Sequence, residues 1–212
     1  MDIINKHIQK YAESYSSREP SVLAELNRET YVRHLFPRML SGHHQGRFLS
    51  ILSHMLKPSC VLEVGTYTGY SAICLAEGLT EGGVLHTIEI NNENEGIIRK
   101  YLAKSGMEDK IRLHFGDALE IIPGIHETFD LVFLDAEKER YIDYFDLVFG
   151  KVRSGGIVLA DNVLWDGKVL NDKDSDKESA GIRRFNNYLR SKDHIEHVLL
   201  TIRDGIMIIR KK

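Results

Sequence analysis

The chain has 212 residues, 42% of them apolar and 28% charged, with a formal net charge of −3 at pH 7. That is enough for one α/β domain with a substantial core and too little for two comfortable ones. The charge balance excludes a global positive field for nucleic acid or membrane, and no apolar run approaches the ~20 residues of a membrane helix, so the cytoplasm is the expected compartment.

In chain order, residues 2–17 place Ile3, Ile4, Ile8 and Tyr11 at helical spacing. Pro20 and Ser21 open a second predicted helix over Val22 to Leu26. Thr30 to Gln45, with Pro37 and Gly42, reads as irregular, and Gly46 to Met55 as a helix leading toward the core. From Cys60 short apolar runs alternate with amphipathic stretches. The predicted strands are Val61–Val64, Val84–Glu89, Ile111–His114, Leu131–Leu134 and Ile157–Ala160. Helices are predicted over Tyr70–Leu79, Asn94–Lys104, Ala118–Ile121 and Arg140–Val148. Apolar strands alternating with helices imply a parallel sheet covered on both faces. A polar loop, Asp166–Ser179, and a helix, Gly181–Arg190, follow. Asp204-Gly205 between Ile195–Ile202 and Ile206–Arg210 predicts a closing antiparallel hairpin. Cys60 and Cys74 lie in apolar runs, in neither C-x-x-C nor zinc spacing, and are read as small buried hydrophobes.

The run VLEVGTYTGYS, residues 61–71, ends a strand and opens a helix through Gly65 and Gly69. Glycines there let the backbone approach a ligand, at the strand end where doubly wound sheets bind theirs. The spacing is G-x-x-x-G rather than G-x-G-x-x-G, which argues against a dinucleotide. Glu63 is placed to anchor a cationic ligand group, and Glu89, ending the second strand, to accept ribose hydroxyls. Asp117, after the third strand, is placed either to accept from an adenine amino group or to cap the helix that follows.

Strand four runs into Asp135 and strand five into Asp161-Asn162. Two carboxylates and an amide oxygen at one sheet edge suit a hard divalent cation, whereas Asp161-Asn162 alone also suits a turn. Lys138 follows Asp135 by three residues. It is either a solvated lysine or, beside a divalent cation that lowers its pKa, a general base.

Together these residues resemble the cation-dependent O-methyltransferases of the catechol and caffeoyl-coenzyme A type. The resemblance runs through PRMLSGHHQGRFL, LEVGTYTGYS, HTIEIN, FGDAL, FDLVFLDAEKERY, GGIVLADNVLWDGKV and VLLTIRDGIMIIRK. It implies a Rossmann-like class I methyltransferase fold: α/β, with a seven-stranded, mostly parallel sheet, a C-terminal antiparallel hairpin, helices on both faces and an N-terminal helical extension. One domain is expected, residues 1–57 being a helical cap and substrate segment and 58–212 the cofactor-binding core. The resemblance implies S-adenosylmethionine and Mg²⁺, with Mn²⁺ or Ca²⁺ as alternatives, and usually a homodimer. By it, Glu63, Gly65, Tyr67 and Ser71 belong to the cofactor pocket and Glu89 binds the ribose. Met39 and Ser41 lie where relatives place a loop against cofactor and substrate. Asp135, Asp161 and Asn162 match the metal ligands, and Lys138 the base.

Two departures stand out. Ala136-Glu137 replaces the His-Trp of the animal catechol enzymes, and the loop NDKDSDKES has no counterpart, reading as a lid or a solvated loop. The expected acceptor is a small catechol-like phenol, with selectivity expected from the N-terminal segment and the Asp166–Ser179 loop and with His43 and His44 as candidates. The alternative is the 5-hydroxyuridine of a tRNA wobble position, for which Arg183, Arg184, Arg190, Lys192, Arg210, Lys211 and Lys212 would form the basic surface.

Overall fold

The computed structural model of the chain describes residues 5–171 and 176–212, the Lys6 side chain excepted. The helices are α1 (Lys6–Ser14), α2 (Ser21–Arg33), α3 (Gly42–Leu56), α4 (Tyr70–Ala76), α5 (Glu95–Ser105), α6 (Ala118–Ile121), α7 (Tyr141–Phe149) and α8 (Lys177–Arg190). The strands are β1 (Cys60–Val64), β2 (Val84–Glu89), β3 (Ile111–Phe115), β4 (Phe129–Leu134), β5 (Val152–Asp161), β6 (Ile195–Leu200) and β7 (Ile206–Lys211). They form one seven-stranded sheet in the order β3-β2-β1-β4-β5-β7-β6. β7 runs antiparallel to both neighbours and the remaining pairs are parallel, the mostly parallel sheet with a closing hairpin that the sequence implies.

The two-residue period of the strands sorts the core into two layers. Leu62, Val64, Val132, Leu134, Val158 and Ala160 pack with α6, α7 and α8. Val61, Leu85, Leu131, Phe133 and Leu159 face the other way, onto α2, α3, α4 and α5. Cys60 and Cys74 are free and buried in these layers, and burial pushes both thiols up to about 12.

The chain leaves β1 outward through β2 and β3, then returns to place β4 on the other side of β1. This reversal opens a crevice at the carboxyl edge, where doubly wound sheets receive ligands. Register then does the positioning. Val64 pairs with Ile88 and with Leu134, and Leu134 pairs with Ala160. Gly65, Glu89, Asp135 and Asp161 each follow one of these residues and so form a single row across the edge.

Several elements differ from their predicted extents. α2 runs on to Arg33 because Thr30, polar by type, is fully buried. Its hydroxyl donates to the Leu26 carbonyl (2.9 Å) and to the Thr68 hydroxyl (3.2 Å). The segment read as irregular thus holds the end of α2, a 3₁₀ turn at Pro37–Met39 and the first turn of α3. α1 is shorter than expected at its C-terminal end, and the predicted residues 2–4 lie outside the described residues. α4 stops at Ala76, short of the predicted Leu79, and Gly78 beyond it packs against the Ser53 backbone with no room for a Cβ. β5 takes in Gly155-Gly156, which sit where its register against β4 shifts, as glycines do at bulges. α8 begins at Lys177, inside the stretch read as loop; residues 172–175 of that loop lie outside the described residues. The hairpin turn spans 201–205 rather than two residues, because Leu200 pairs with Ile206.

Candidate functional site

A cleft of about 820 Å³ lies over this edge. Its floor is Val64, Gly65, Asp135, Asp161 and Asn162, one wall carries Ile88, Glu89 and Ile90, and the opposite wall is the 35–39 segment with Trp165 and Arg203. Gly65 takes a φ of 101°, open to glycine and strained for other residues, and a Cβ there would collide with the Asp135 carbonyl. The ends of β1 and β4 close on each other at that point, Asp135 N donating to the Val64 carbonyl (2.8 Å).

The turn after Gly65 delivers two backbone contacts. Tyr67, itself at a φ of 52°, donates its amide to Glu89 Oε2 (2.6 Å). Asn91 donates to Glu89 Oε1 (2.9 Å). Glu89 is thereby fixed at the cleft wall, with the Asn94 side chain also holding its charge. The Tyr67 hydroxyl donates to the Phe36 carbonyl (3.2 Å), tying the turn to the opposite wall.

Glu63 is fully buried below this turn. One oxygen accepts from Thr87 Oγ1 (2.5 Å), while Oε1 has no partner. Burial, reinforced by the nearby Asp135 and Glu89 charges, pushes the Glu63 carboxyl up to about 8. Ser71 opens α4 beside a small recess that it shares with Met39, Ser41, Gly65, Tyr67 and Asp135. A buried carboxyl with an idle oxygen fits a cationic ligand group nearby, and Glu89 fits a vicinal diol. The polar groups of S-adenosylmethionine match both.

On the β4 and β5 side, Lys138 is buried on a 3₁₀ turn. Its Nζ donates to Asp135 Oδ1 (2.8 Å) and to the Tyr141 hydroxyl (2.7 Å). That hydroxyl donates in turn to the main-chain oxygens of Asp161 (2.9 Å) and Leu134 (3.1 Å). Gly181 on α8 lets the helix pack onto this turn, since a Cβ would lie 2.8 Å from the Lys138 carbonyl oxygen. Burial works to lower the Lys138 pKa, but the Asp135 and Asp161 charges and the hydrogen bond to Asp135 outweigh it and hold the ammonium pKa raised.

Asp161 is buried, and both its oxygens accept hydrogen bonds, Oδ2 from Gln45 Nε2 (2.5 Å) and Oδ1 from Asn162 N (2.8 Å). Burial and the facing Asp135 push it up to about 6. Asn162 adopts a φ of 58°, the left-handed region that non-glycine residues occupy mainly where the surroundings impose it. Among the described residues no three His, Cys, Asp or Glu side chains group around a metal site. The donor set is two acids and an amide oxygen, and the repulsion within the acid pair is what a divalent cation would relieve.

Asp117 stands apart from the other expected residues. Its carboxylate accepts from the Leu119 amide (2.9 Å), capping α6, and from Arg140 Nη1 (2.8 Å), while its neighbours Gly116 and Ala118 line the cleft. Of the two roles left open for it, these contacts are those of the cap. Met39 is 60% exposed at the cleft wall, beside Leu35 and Phe36. His43 Nε2 donates to the Ser17 carbonyl (2.6 Å), and neither it nor His44 is among the cleft-lining residues. Gln45, Tyr141, Trp165 and Arg203 were not anticipated. All four lie inside the stretches that carry the resemblance, but their residue types there point to no role by themselves.

Comparison with known proteins places this geometry. Residues 13–212 match the O-methyltransferase family model. A catechol O-methyltransferase of Niastella koreensis is 32% identical over 168 residues, 77% of this chain and 76% of its own length. A caffeoyl-CoA O-methyltransferase of Petroselinum crispum is 33% identical over 211 residues, 92% of this chain and 85% of its own length. The O-methyltransferase TomG of Streptomyces achromogenes, solved with SAM, superposes with a TM-score of 0.90 at 27% identity, covering 97% of this chain and 96% of that one. The Bacillus cereus O-methyltransferase, solved with SAH, gives 0.90 at 27% identity, covering 97% of each chain. The chain therefore belongs to the O-methyltransferase family, has the class I methyltransferase fold and is an O-methyltransferase of the catechol and caffeoyl-CoA type.

Proposed function

We propose that the protein transfers a methyl group from S-adenosylmethionine to one hydroxyl of a small vicinal dihydroxy aromatic acceptor, with a divalent cation, Mg²⁺ or its Mn²⁺ or Ca²⁺ substitutes, held by Asp135, Asp161 and Asn162. The observation that carries this reading is the single row of Gly65, Glu89, Asp135 and Asp161 across the sheet edge, under one cleft.

S-adenosylmethionine would supply the methyl as a sulfonium, and the cation would neutralise the acid pair and acidify a coordinated hydroxyl. Glu89 would accept from the ribose hydroxyls, and Glu63 would face the ammonium from beneath the glycine turn. Gly65, Tyr67, Ser71 and Met39 would shape the cofactor side, with Asp117 at its adenine end while also capping α6. Asp135 would border both cofactor and acceptor. Lys138 would take the acceptor proton once the charges of Asp135 and Asp161 are offset, since those charges hold its own proton in place. The acceptor oxygen would then attack the methyl carbon as the carbon–sulfur bond breaks, and alignment of the two by the cleft would supply much of the rate. Residues 1–57 would form the acceptor-side cap and 58–212 the cofactor core, and the working form would be a homodimer, checked by light scattering.

The phenolic acceptor is better supported than a tRNA one. Several basic residues are engaged internally: Arg210 with Glu196 (2.8 Å), Lys211 with the Phe149 and Val152 carbonyls (2.8 Å each), and Lys212 with the Asp193 carbonyl (2.8 Å). The test is S-adenosylhomocysteine formation with caffeic acid, 3,4-dihydroxybenzoate and bulk tRNA lacking the wobble modification, each with Mg²⁺ and with EDTA. Mg²⁺-dependent turnover of the diphenols is expected. Turnover of tRNA alone would move the acceptor to a nucleobase hydroxyl, and full activity in EDTA would remove the metal from the reading.

A further inference from the structure

Gln45 and Arg203 join the acceptor wall of the cleft to the Asp161 carboxylate. Gln45, 1% exposed on the first turns of α3, donates from Nε2 to Asp161 Oδ2 (2.5 Å) and accepts at Oε1 from Arg203 Nη1 (3.2 Å). A carboxylate only accepts and a guanidinium only donates, so these partners fix which way the amide points. The same guanidinium holds the main chain that forms the acceptor wall. Nη1 donates to the Leu40 carbonyl (2.9 Å) and the Ser41 carbonyl, and Nη2 to the Arg38 carbonyl (3.4 Å). Arg203 stands in the 201–205 turn at a φ of 48°, a conformation kept by a non-glycine residue where its surroundings impose it. Asp204 pins that turn from the other side. Its main-chain oxygen accepts from Leu164 N (2.9 Å) and its carboxylate from Asp166 N (2.5 Å), in the segment that follows Asn162.

We propose that Arg203 is a positioning residue that sets the acceptor wall at residues 38–41 and, through Gln45, the Asp161 carboxylate. One guanidinium then determines both where the acceptor ring lies and which Asp161 lone pairs are left facing the cleft. The consequence is a division of labour. Gln45 acts on metal use alone, whereas Arg203 acts on metal use and acceptor binding together.

This rests on the metal-assisted reading of the cleft, and its test separates the two. The variants are Arg203→Met, Arg203→Lys and Gln45→Leu in the full-length protein. The readouts are S-adenosylhomocysteine binding and Mg²⁺ binding by calorimetry, amide hydrogen exchange across residues 37–45, acceptor KM on caffeic acid, and the Mg²⁺ concentration for half-maximal turnover. Gln45→Leu should weaken Mg²⁺ binding and raise its half-maximal concentration about tenfold, the usual scale for groups that orient metal ligands, leaving exchange and acceptor KM near wild type. Arg203→Met should do the same and also speed exchange across 37–45 and raise KM, with Arg203→Lys between it and wild type. S-adenosylhomocysteine affinity should stay near wild type in Gln45→Leu, while Arg203→Met, which releases the segment carrying Met39, should weaken it modestly. Unchanged exchange and KM in Arg203→Met, or an unchanged Mg²⁺ requirement in Gln45→Leu, would overturn the proposal. If Arg203→Met fails to fold, Arg203→Lys and Gln45→Leu decide by the same criteria. If wild type turns over no diphenol, the acceptor reading falls, and exchange with Mg²⁺ binding still judges Arg203 and Gln45.

Discussion

Gly65 packs against the Asp135 main chain so closely that no side chain fits between the ends of β1 and β4. The two strands that carry the cofactor turn and a proposed metal ligand are thus joined at one residue. Gly65→Ala adds a methyl group to a filled space at a φ of 101°. It should lower unfolding stability by about 2–3 kcal/mol. A denaturant midpoint within error of wild type would show that the strand ends have room to part.

Glu63 predicts an unusual pH slope. Its folded pKa of about 8 lies above the ordinary carboxylate value, so the folded chain keeps a proton that the unfolded chain gives up. The stability this contributes is complete below about pH 4.3 and is lost as pH rises toward 8. Thermal melts of the ligand-free protein across pH 5–8 should show this fall, and Glu63→Gln should flatten it. Parallel curves for the two proteins would mean that Glu63 is ionised in the fold. Glu63→Gln should also weaken S-adenosylhomocysteine binding, since a neutral amide cannot face an ammonium as a carboxylate does.

Lys138 gives the kinetic test. Lys138→Met keeps much of the side-chain length and removes the proton carrier. It should lower kcat by roughly 100-fold or more while S-adenosylhomocysteine affinity holds. Loss of affinity with kcat retained would make Lys138 a counter-charge for Asp135 rather than a base.

Away from the cleft, His86 and His114 stack with ring centroids 5.3 Å apart and share a hydrogen bond (3.0 Å) between β2 and β3. Burial lowers the pKa of both below the ordinary value of 6.5. Below that pH the unfolded chain binds more protons than the folded one, so stability is complete above 6.5 and falls as pH drops through the lowered values. His114→Gln should shrink the fall in melting temperature between pH 7 and pH 5. An unchanged fall would place the responsible group elsewhere.

The elements that local pattern specifies were legible. The apolar strands, the G-x-x-x-G turn and the acids that end β2, β4 and β5 all depend on residues close in sequence. What stayed hidden depended on burial. Thr30 extends α2 because its hydroxyl has partners at Leu26 and Thr68, which no helical pattern announces. Lys138 sits beside Asp135 and near Asp161, whose charges raise its pKa, and that surrounding depends on how β4 and β5 pack. The Asp117 cap on α6, made through the Leu119 amide, needs only nearby residues, whereas its ion pair with Arg140 depends on how the start of α7 packs.

By itself the sequence determined the order of strands and helices, the closing hairpin and the residue types at each strand end, since these follow from hydrophobic period and turn chemistry over a few residues. Only the tertiary structure decided that Gly65, Glu89, Asp135 and Asp161 share one row, because that depends on the register between strands. Likewise only the tertiary structure brings Arg203 to Gln45 and Gln45 to Asp161, residues from α3, β5 and the last turn of the chain. A hydrogen bond between distant segments depends on the packing of the whole sheet, and no local pattern encodes it.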